Sequence, residues 1–374
     1  MISTINTELK PFEDLAASFA TKELLPNKEE NDKYPFGEFF GDVLEKAYEV
    51  GFLGTTLPEE YGGIGQGISA LCVILDNICQ SDASLGGIIF TNALSQELML
   101  SAESKDLLTK ITSNVTQAKD LLIAFPAFDN PPETKNMADA KKDKNNYILS
   151  GNIEYLALGG LAAHAFIPAK INDQDGYSFF LIDLSDEGAI KSEPIFSLGL
   201  HACPSVDLRL NEVKGRLVGK EGLGAGYFEE VSDKMHVAAA AMSTGIMKGS
   251  FNEALAYSQE RYQGGWEIIN WSEVKMMLAN MAVQVKIADM TTASACQGVE
   301  NKEPQWGLCS RAAAIHIQAM ACNLTTDGIQ VLGGNGYMKD YGQEKRFRDA
   351  KQVQALLGLT PMKKIKYIER IIGQ

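Results

Sequence analysis

Residues 328–351 read GIQVLGGNGYMKDYGQEKRFRDAK. Ile329, Val331 and Leu332 close a helical run that stops in Gly333-Gly334-Asn335-Gly336, and a charged segment follows. Three glycines in four positions remove Cβ atoms where a backbone must turn or a ligand must come close. A glycine-rich helix end is at least as often only a cap, so the run alone does not decide between these roles. It follows no strand and lacks the GxGxxG spacing, which excludes a Rossmann dinucleotide turn.

Outward from this stretch, periodicity divides the chain in three. Residues 1–118 are expected to be helical; in FGEFFGDVLEKAYEVGF, Phe39, Phe40, Val43, Leu44 and Ala47 share one face. Pro58 and the pair Gly62-Gly63 then make residues 57–63 a loop. Residues 119–222 change to short alternating runs, NYILSGNIEYLAL, AFIPAKI, YSFFLIDL and VDLRL, set apart by Asn, Asp and Gly turns. That is the pattern of a small β domain. Residues 223–374 return to long helical repeats, and VAAAAMSTGIMKGSFNEALAYSQER is rich in the small side chains that let helices pack closely. The expected class is α+β, with a helical domain, a β domain and a helical bundle in that order.

The bulk numbers narrow the function. With 45% hydrophobic and 22% charged residues the chain folds, and 374 residues exceed what one simple core needs. A net charge of -14 argues against nucleic acid or an anionic membrane as main partner, since both are bound by clustered cations. The basic patches Lys345-Arg346-Phe347-Arg348 and Lys363-Lys364-Ile365-Lys366 suit a solvated helix face or, less simply, a small phosphorylated ligand. Six scattered cysteines with no CxxC, and four histidines, form no metal-ligand spacing, so no metal is expected. The first residues lack a basic segment and an apolar core, and no apolar run spans a bilayer, so the default compartment is cytoplasmic; a trimmed organellar chain reads the same.

Four segments together resemble the acyl-CoA dehydrogenase family. They are GFLG at 51–54 with PEEYGG at 58–63, YSQER at 257–261, QVLGGNGY at 330–337, and Tyr341, Glu344 and RDAK at 348–351. Their order and spacing agree from end to end. The resemblance implies the family fold, an N-terminal helical domain, a middle β-barrel-like domain and a C-terminal four-helix bundle. It also implies FAD held between barrel and bundle and completed by a neighbouring subunit, with an acyl-CoA substrate and an electron-transfer flavoprotein as acceptor. On this basis Arg261 reaches the flavin pyrophosphate of the adjacent subunit, while Gln330, Gly333 and Gly334 lie against its ADP half. A guanidinium fork suits a diphosphate, and glycines let the chain approach it.

The same resemblance exposes departures. The family's Thr-Glu-Pro beside the flavin ring matches Ala124-Phe125-Pro126, followed by Ala127-Phe128-Asp129. Its Trp-Ile-Thr matches Tyr155-Leu156-Ala157, so two hydroxyls are lost at Ala124 and Ala157 while Tyr155 keeps an aromatic ring. Gly-x-Arg-x-Ser-Asp-Thr appears as Gly199-Leu200-His201-Ala202-Cys203-Pro204-Ser205, and Gly264-Gly265 and Ser272 replace a Phe-Gly pair and a Gln. Most members carry their catalytic glutamate just before a Gly-Thr pair after RDAK; here Leu357 stands there, before Gly358, with Thr360 as a further candidate cofactor contact. A minority place the base on an earlier helix, a position that matches Met235. Neither side chain accepts a proton, and loss of a positioned base costs on the order of 10²–10⁴ in rate.

His236 is the one sharp alternative base, with Asp233 and Glu230 behind it; a helix-borne His among alanines and methionines is more often a packed residue. Three functions remain open at this stage. One is a self-sufficient acyl-CoA dehydrogenase with a non-standard base such as His236. Another is a base-deficient subunit of a heteromeric enzyme, such as a heterotetramer in fatty or alicyclic acid degradation, which completes the flavin site of a homologous subunit. The third is a non-redox acyl-CoA binding protein. Retention of the residues that serve a neighbour's flavin, against loss of those that serve the chain's own ring and substrate, favours the second.

Overall fold

The computed structural model describes residues 7–27, 30–33, 40–126, 135–143, 146–172 and 174–373. Its first part is helical: α1 (Lys10–Phe19), α2 (Phe40–Glu49), α3 (Ile68–Cys79), α4 (Ala83–Ser101), α5 (Lys105–Thr112) and α6 (Ala118–Leu121). Val43, Leu44 and Ala47 are buried as their spacing predicts; Phe39 lies outside the described residues. Helix α4 is buried from Ala83 to Met99 on all sides, which explains why its apolar residues form no single stripe. Asp82 caps it, accepting from the Ser84 N–H at 2.7 Å.

The middle part is a closed barrel. The strands are β1 (Ile123–Ala124), β2 (Ala138–Asp143), β3 (Asn146–Ala157), β4 (His164–Ile171), β5 (Ser178–Asp183), β6 (Ala189–Lys191) and β7 (Ser205–Val218); they run in the order β1-β4-β2-β3-β7-β5 with β6 beside β7, and a β4–β5 pairing closes the ring. β1 and β2 pair parallel to β4, and the other pairs are antiparallel. Phe125, Phe166 and Phe179 fill one end of the interior, and Phe125 stacks on Phe228 from the next helix.

The last part holds three long helices, α7 (Gly224–Glu260), α8 (Ser272–Glu300) and α9 (Trp306–Leu332), and two short ones, α10 (Gln343–Val353) and α11 (Thr360–Ile372). A small hairpin, β8 (Tyr262–Gln263) and β9 (Trp266–Glu267), joins α7 to α8. α7 is about 55 Å long at 1.5 Å per residue and is the spine against which α3, α4, α8 and α9 pack. Its Gly245 and Gly249 allow the closest approach, since a Cβ would stand 2.3 Å from the Asp76 carbonyl and 2.2 Å from that of Gln80. Among the described residues no helix is long and apolar enough to cross a membrane, and no His, Cys, Asp and Glu group is arranged to hold a metal.

Candidate functional site

The residues singled out in the sequence gather at two places. The first is where the end of β3 meets the turn between α10 and α11. A register shift between Ile153 and Leu156 lifts Tyr155 off the ladder at φ +56°, where its N–H donates to the Asp207 carboxylate at 3.0 Å. Its hydroxyl accepts from Gln352 Nε2 at 3.2 Å, which ties β3 to α10. Leu357 occupies the following turn, 5% exposed and at φ +60°, with Gly358 at +119°. A leucine in the left-handed region costs about 1–2 kcal/mol, so the turn keeps Leu357 against a local preference. Thr360 is the first residue of α11.

The backbone groups here are already engaged. Phe125 and Ala157 exchange both hydrogen bonds, at 3.1 and 3.0 Å. Ala124 is fully buried and Ala157 is 2% exposed, and neither side chain offers a donor. Ala127, Phe128 and Asp129 lie outside the described residues.

Met235 and His236 are fully buried on α7. His236 Nδ1 lies against the Ser232 carbonyl, so it carries the proton and donates; Nε2 is unprotonated and without a hydrogen-bond partner among the described residues. Burial, with Arg311 and Lys363 nearby, holds its pKa well below the usual imidazole value. A base works best with a pKa near the operating pH, so this neutral ring has little drive to take an α-proton. Asp233 is held by Arg311 and Arg370, and Glu230 accepts from Ser101 Oγ at 2.9 Å.

The second place is the far end of the bundle. Arg261 ends α7, and its exposed guanidinium has no hydrogen-bond or ion-pair partner among the described residues. It lines a cavity of about 530 Å³ together with Tyr257, Trp271, Gly333, Gly334 and Asn335. Asn335 Nδ2 holds the rim, donating to the hydroxyls of Tyr257 at 3.0 Å and Tyr341 at 3.3 Å. The glycines divide by cause. Gly336 is required internally, since a Cβ would meet the Ile329 carbonyl at 2.2 Å, and Gly333 is required by φ +57°. Gly334 has neither reason: its Cβ would point into open space. Gln330 is exposed but does not line the cavity.

Trp271 and Ile268, which wall this cavity, escaped the sequence reading. Their only signal was an aromatic and an isoleucine in a turn with no core to fill. The model of the N-terminal domain of acyl-CoA dehydrogenases matches residues 6–107 and that of the C-terminal domain residues 222–371, together more than half of the sequence. The chain belongs to the acyl-CoA dehydrogenase family. Among its relatives is a probable acyl-CoA dehydrogenase of Mycobacterium tuberculosis, 28% identical over 359 residues, 93% of this chain and 91% of the relative. The cyclohexane-1-carbonyl-CoA dehydrogenase of Geobacter metallireducens is 27% identical over 347 residues, 90% and 91% of the two chains. A chain in the structure of the electron transferring flavoprotein of Acidaminococcus fermentans superposes with a TM-score of 0.88 at 25% identity, over 98% of each chain. Acyl-CoA dehydrogenases are FAD flavoproteins and oxidoreductases acting on CH–CH bonds.

Proposed function

We propose that this chain is the base-deficient subunit of a heteromeric acyl-CoA dehydrogenase, completing the FAD site of a homologous catalytic subunit. The observation that carries this reading is the contrast between its two sites. The cavity at Arg261 fits a diphosphate and its nucleoside: an unpaired guanidinium, a Cβ-free wall at Gly334 with no internal cause, and the Trp271 ring beside it. The site at β3 does not fit a flavin ring. Its edge of nitrogen and oxygen atoms needs donors, whereas Ala124 and Ala157 supply no hydroxyl and the N–H groups of Tyr155 and Ala157 are committed to Asp207 and Phe125. Arg261, Gly333 and Gly334 therefore serve a cofactor carried by the neighbour.

Leu357 agrees with this division. It stands where the family places a carboxylate and cannot accept the α-proton, yet its N–H has no backbone partner among the described residues and is available to a carbonyl. Acyl-CoA binding thus outlasts the chemistry. The relatives support an alicyclic or fatty acyl-CoA and an electron-transferring flavoprotein as acceptor. The test is the visible spectrum of the chain purified alone and then co-expressed with a homologous acyl-CoA dehydrogenase subunit. Flavin bands only in the complex are expected. Flavin in the lone chain, bleached by an acyl-CoA, overturns the proposal and directs attention to the open Nε2 of His236.

A further inference from the structure

A second polar cavity, of about 260 Å³, lies where α5 meets the barrel, away from both places described above. Lys110 comes from α5, Asn146 from the start of β3, His164 from the start of β4, and Lys214 and Arg216 from β7. None of these five side chains has a hydrogen-bond or ion-pair partner among the described residues. The buried and half-buried cations Arg311, Lys345, Arg346, Arg348 and Arg370 pair with carboxylates. Lys110, Lys214 and Arg216 are exposed and converge on one hollow of a chain whose net charge is -14.

Two carboxylates line the hollow and hold its wall, and the charge of Asp183 also acts on Lys110 and His164. Asp183 accepts from the N–H of Ser185 at 2.9 Å and from its hydroxyl at 2.7 Å, and Asp186 accepts from the Gly188 N–H at 2.9 Å. Both secure the turn after β5, and neither comes within ion-pair distance of Lys110, Lys214 or Arg216. The cations are placed by rigid elements rather than loops: Arg216 pairs with Leu181 across the β5–β7 ladder, and His164 pairs with Asp183 across β4–β5. Burial and the positive charge of Arg216 lower the Lys110 pKa, and the Asp183 carboxylate opposes them without reversing the shift.

We propose that this cavity binds a small phosphate-bearing anion through Lys110, Lys214 and Arg216, with His164 and Asn146 as neutral donors. Arg216 supplies the planar fork that matches two phosphate oxygens, and the lysines supply point charges. The volume holds a phosphate group with part of its ester, not a polymer. Free phosphate and the phosphate end of a nucleotide share this chemistry.

Isothermal titration of the full-length chain at constant ionic strength separates them, with inorganic phosphate in one arm and adenosine 3′,5′-bisphosphate in the other. One saturable site is expected for at least one of them, weakened at least tenfold in Lys214→Gln/Arg216→Gln and unchanged in Arg261→Ala. Heat only with the bisphosphate identifies a nucleotide site, and heat with both a phosphate site. No saturable heat with either overturns the proposal, as does affinity that survives the double substitution or disappears with Arg261→Ala. This last outcome assigns the binding to the flavin-side cavity and leaves the subunit reading standing. If the double variant is not folded, imidazole NMR of the unmodified chain decides: His164 must respond to phosphate and His201 must not.

Discussion

Leu357 is held in a backbone conformation that leucine disfavours, and it is almost fully buried, so its position is imposed by the turn between α10 and α11. Leu357→Glu supplies the carboxylate that the proposed reading finds missing but places a charge where solvent does not reach. We expect this variant alone to show no acyl-CoA-dependent flavin bleaching and to lose about 1–3 kcal/mol of stability, measured by absorbance and urea denaturation. Arg261 is the opposite case, exposed and without a partner among the described residues. Arg261→Ala should leave the melting temperature of the isolated chain within about 2 °C while weakening flavin retention in the complex. Loss of one charged hydrogen-bonding group is worth roughly 1.5–3 kcal/mol, a factor of about 10–100. Flavin release during dilution of the complex measures it, and retention at the unsubstituted level removes Arg261 from the site.

At the level of elements, the loop after α9 separates packing from binding. Gly336→Ala must displace the Ile329 carbonyl and is expected to destabilise the fold, whereas Gly334→Ala meets nothing within 4 Å and should not. If Gly334 borders a neighbour's cofactor, Gly334→Ala lowers flavin content of the complex at unchanged melting temperature. A second element-level device joins the N-terminal part to the barrel. His201 Nδ1 faces the Asp32 carbonyl at 2.9 Å and carboxylate at 3.1 Å, and Nε2 faces the Ser197 carbonyl at 2.9 Å. Both nitrogens therefore donate, and the ring is an imidazolium. Burial opposes this charge, but the Asp32 carboxylate and carbonyl with the Ser197 carbonyl outweigh it and raise the pKa. Arg348 and Lys345 surround the same Asp32, whose pKa is lowered despite burial by His201 and Arg348. A raised pKa means stability that is complete below the unfolded value of about 6.5 and lost as pH rises through the folded value. Thermal melts from pH 6 upward should show this loss, and His201→Arg should flatten it; an unchanged slope in that variant excludes His201.

For the whole molecule, the informative feature is apolar surface left open. Met276, Val283, Ile287 and Met290 are 68, 57, 44 and 56% exposed on one face of α8. Contiguous exposed patches of this kind mark association surfaces. If the neighbour whose flavin is completed sits here, Val283→Lys/Ile287→Lys should abolish co-purification with the homologous subunit and leave the melting temperature of the lone chain unchanged. Gel filtration with light scattering reads the result, and an intact complex places the contact elsewhere.

By itself the sequence determined the three-part organisation, because helical and strand periods depend on which faces are buried and those faces are written in local spacing. It also determined which chemical groups are missing, since Leu357, Met235, Ala124 and Ala157 have no proton acceptor or hydroxyl in any fold. Only the tertiary structure decided what the remaining groups do. That Arg261 and Gly334 share one cavity, that Gly336 serves packing instead, and that His236 points a bare nitrogen into the interior depend on contacts between residues distant in sequence. The bulge that turns Tyr155 toward Gln352 and the meeting of Asp32 with His201 and Arg348 were equally illegible, because cross-strand register and long-range pairing are set when the barrel closes against the helices.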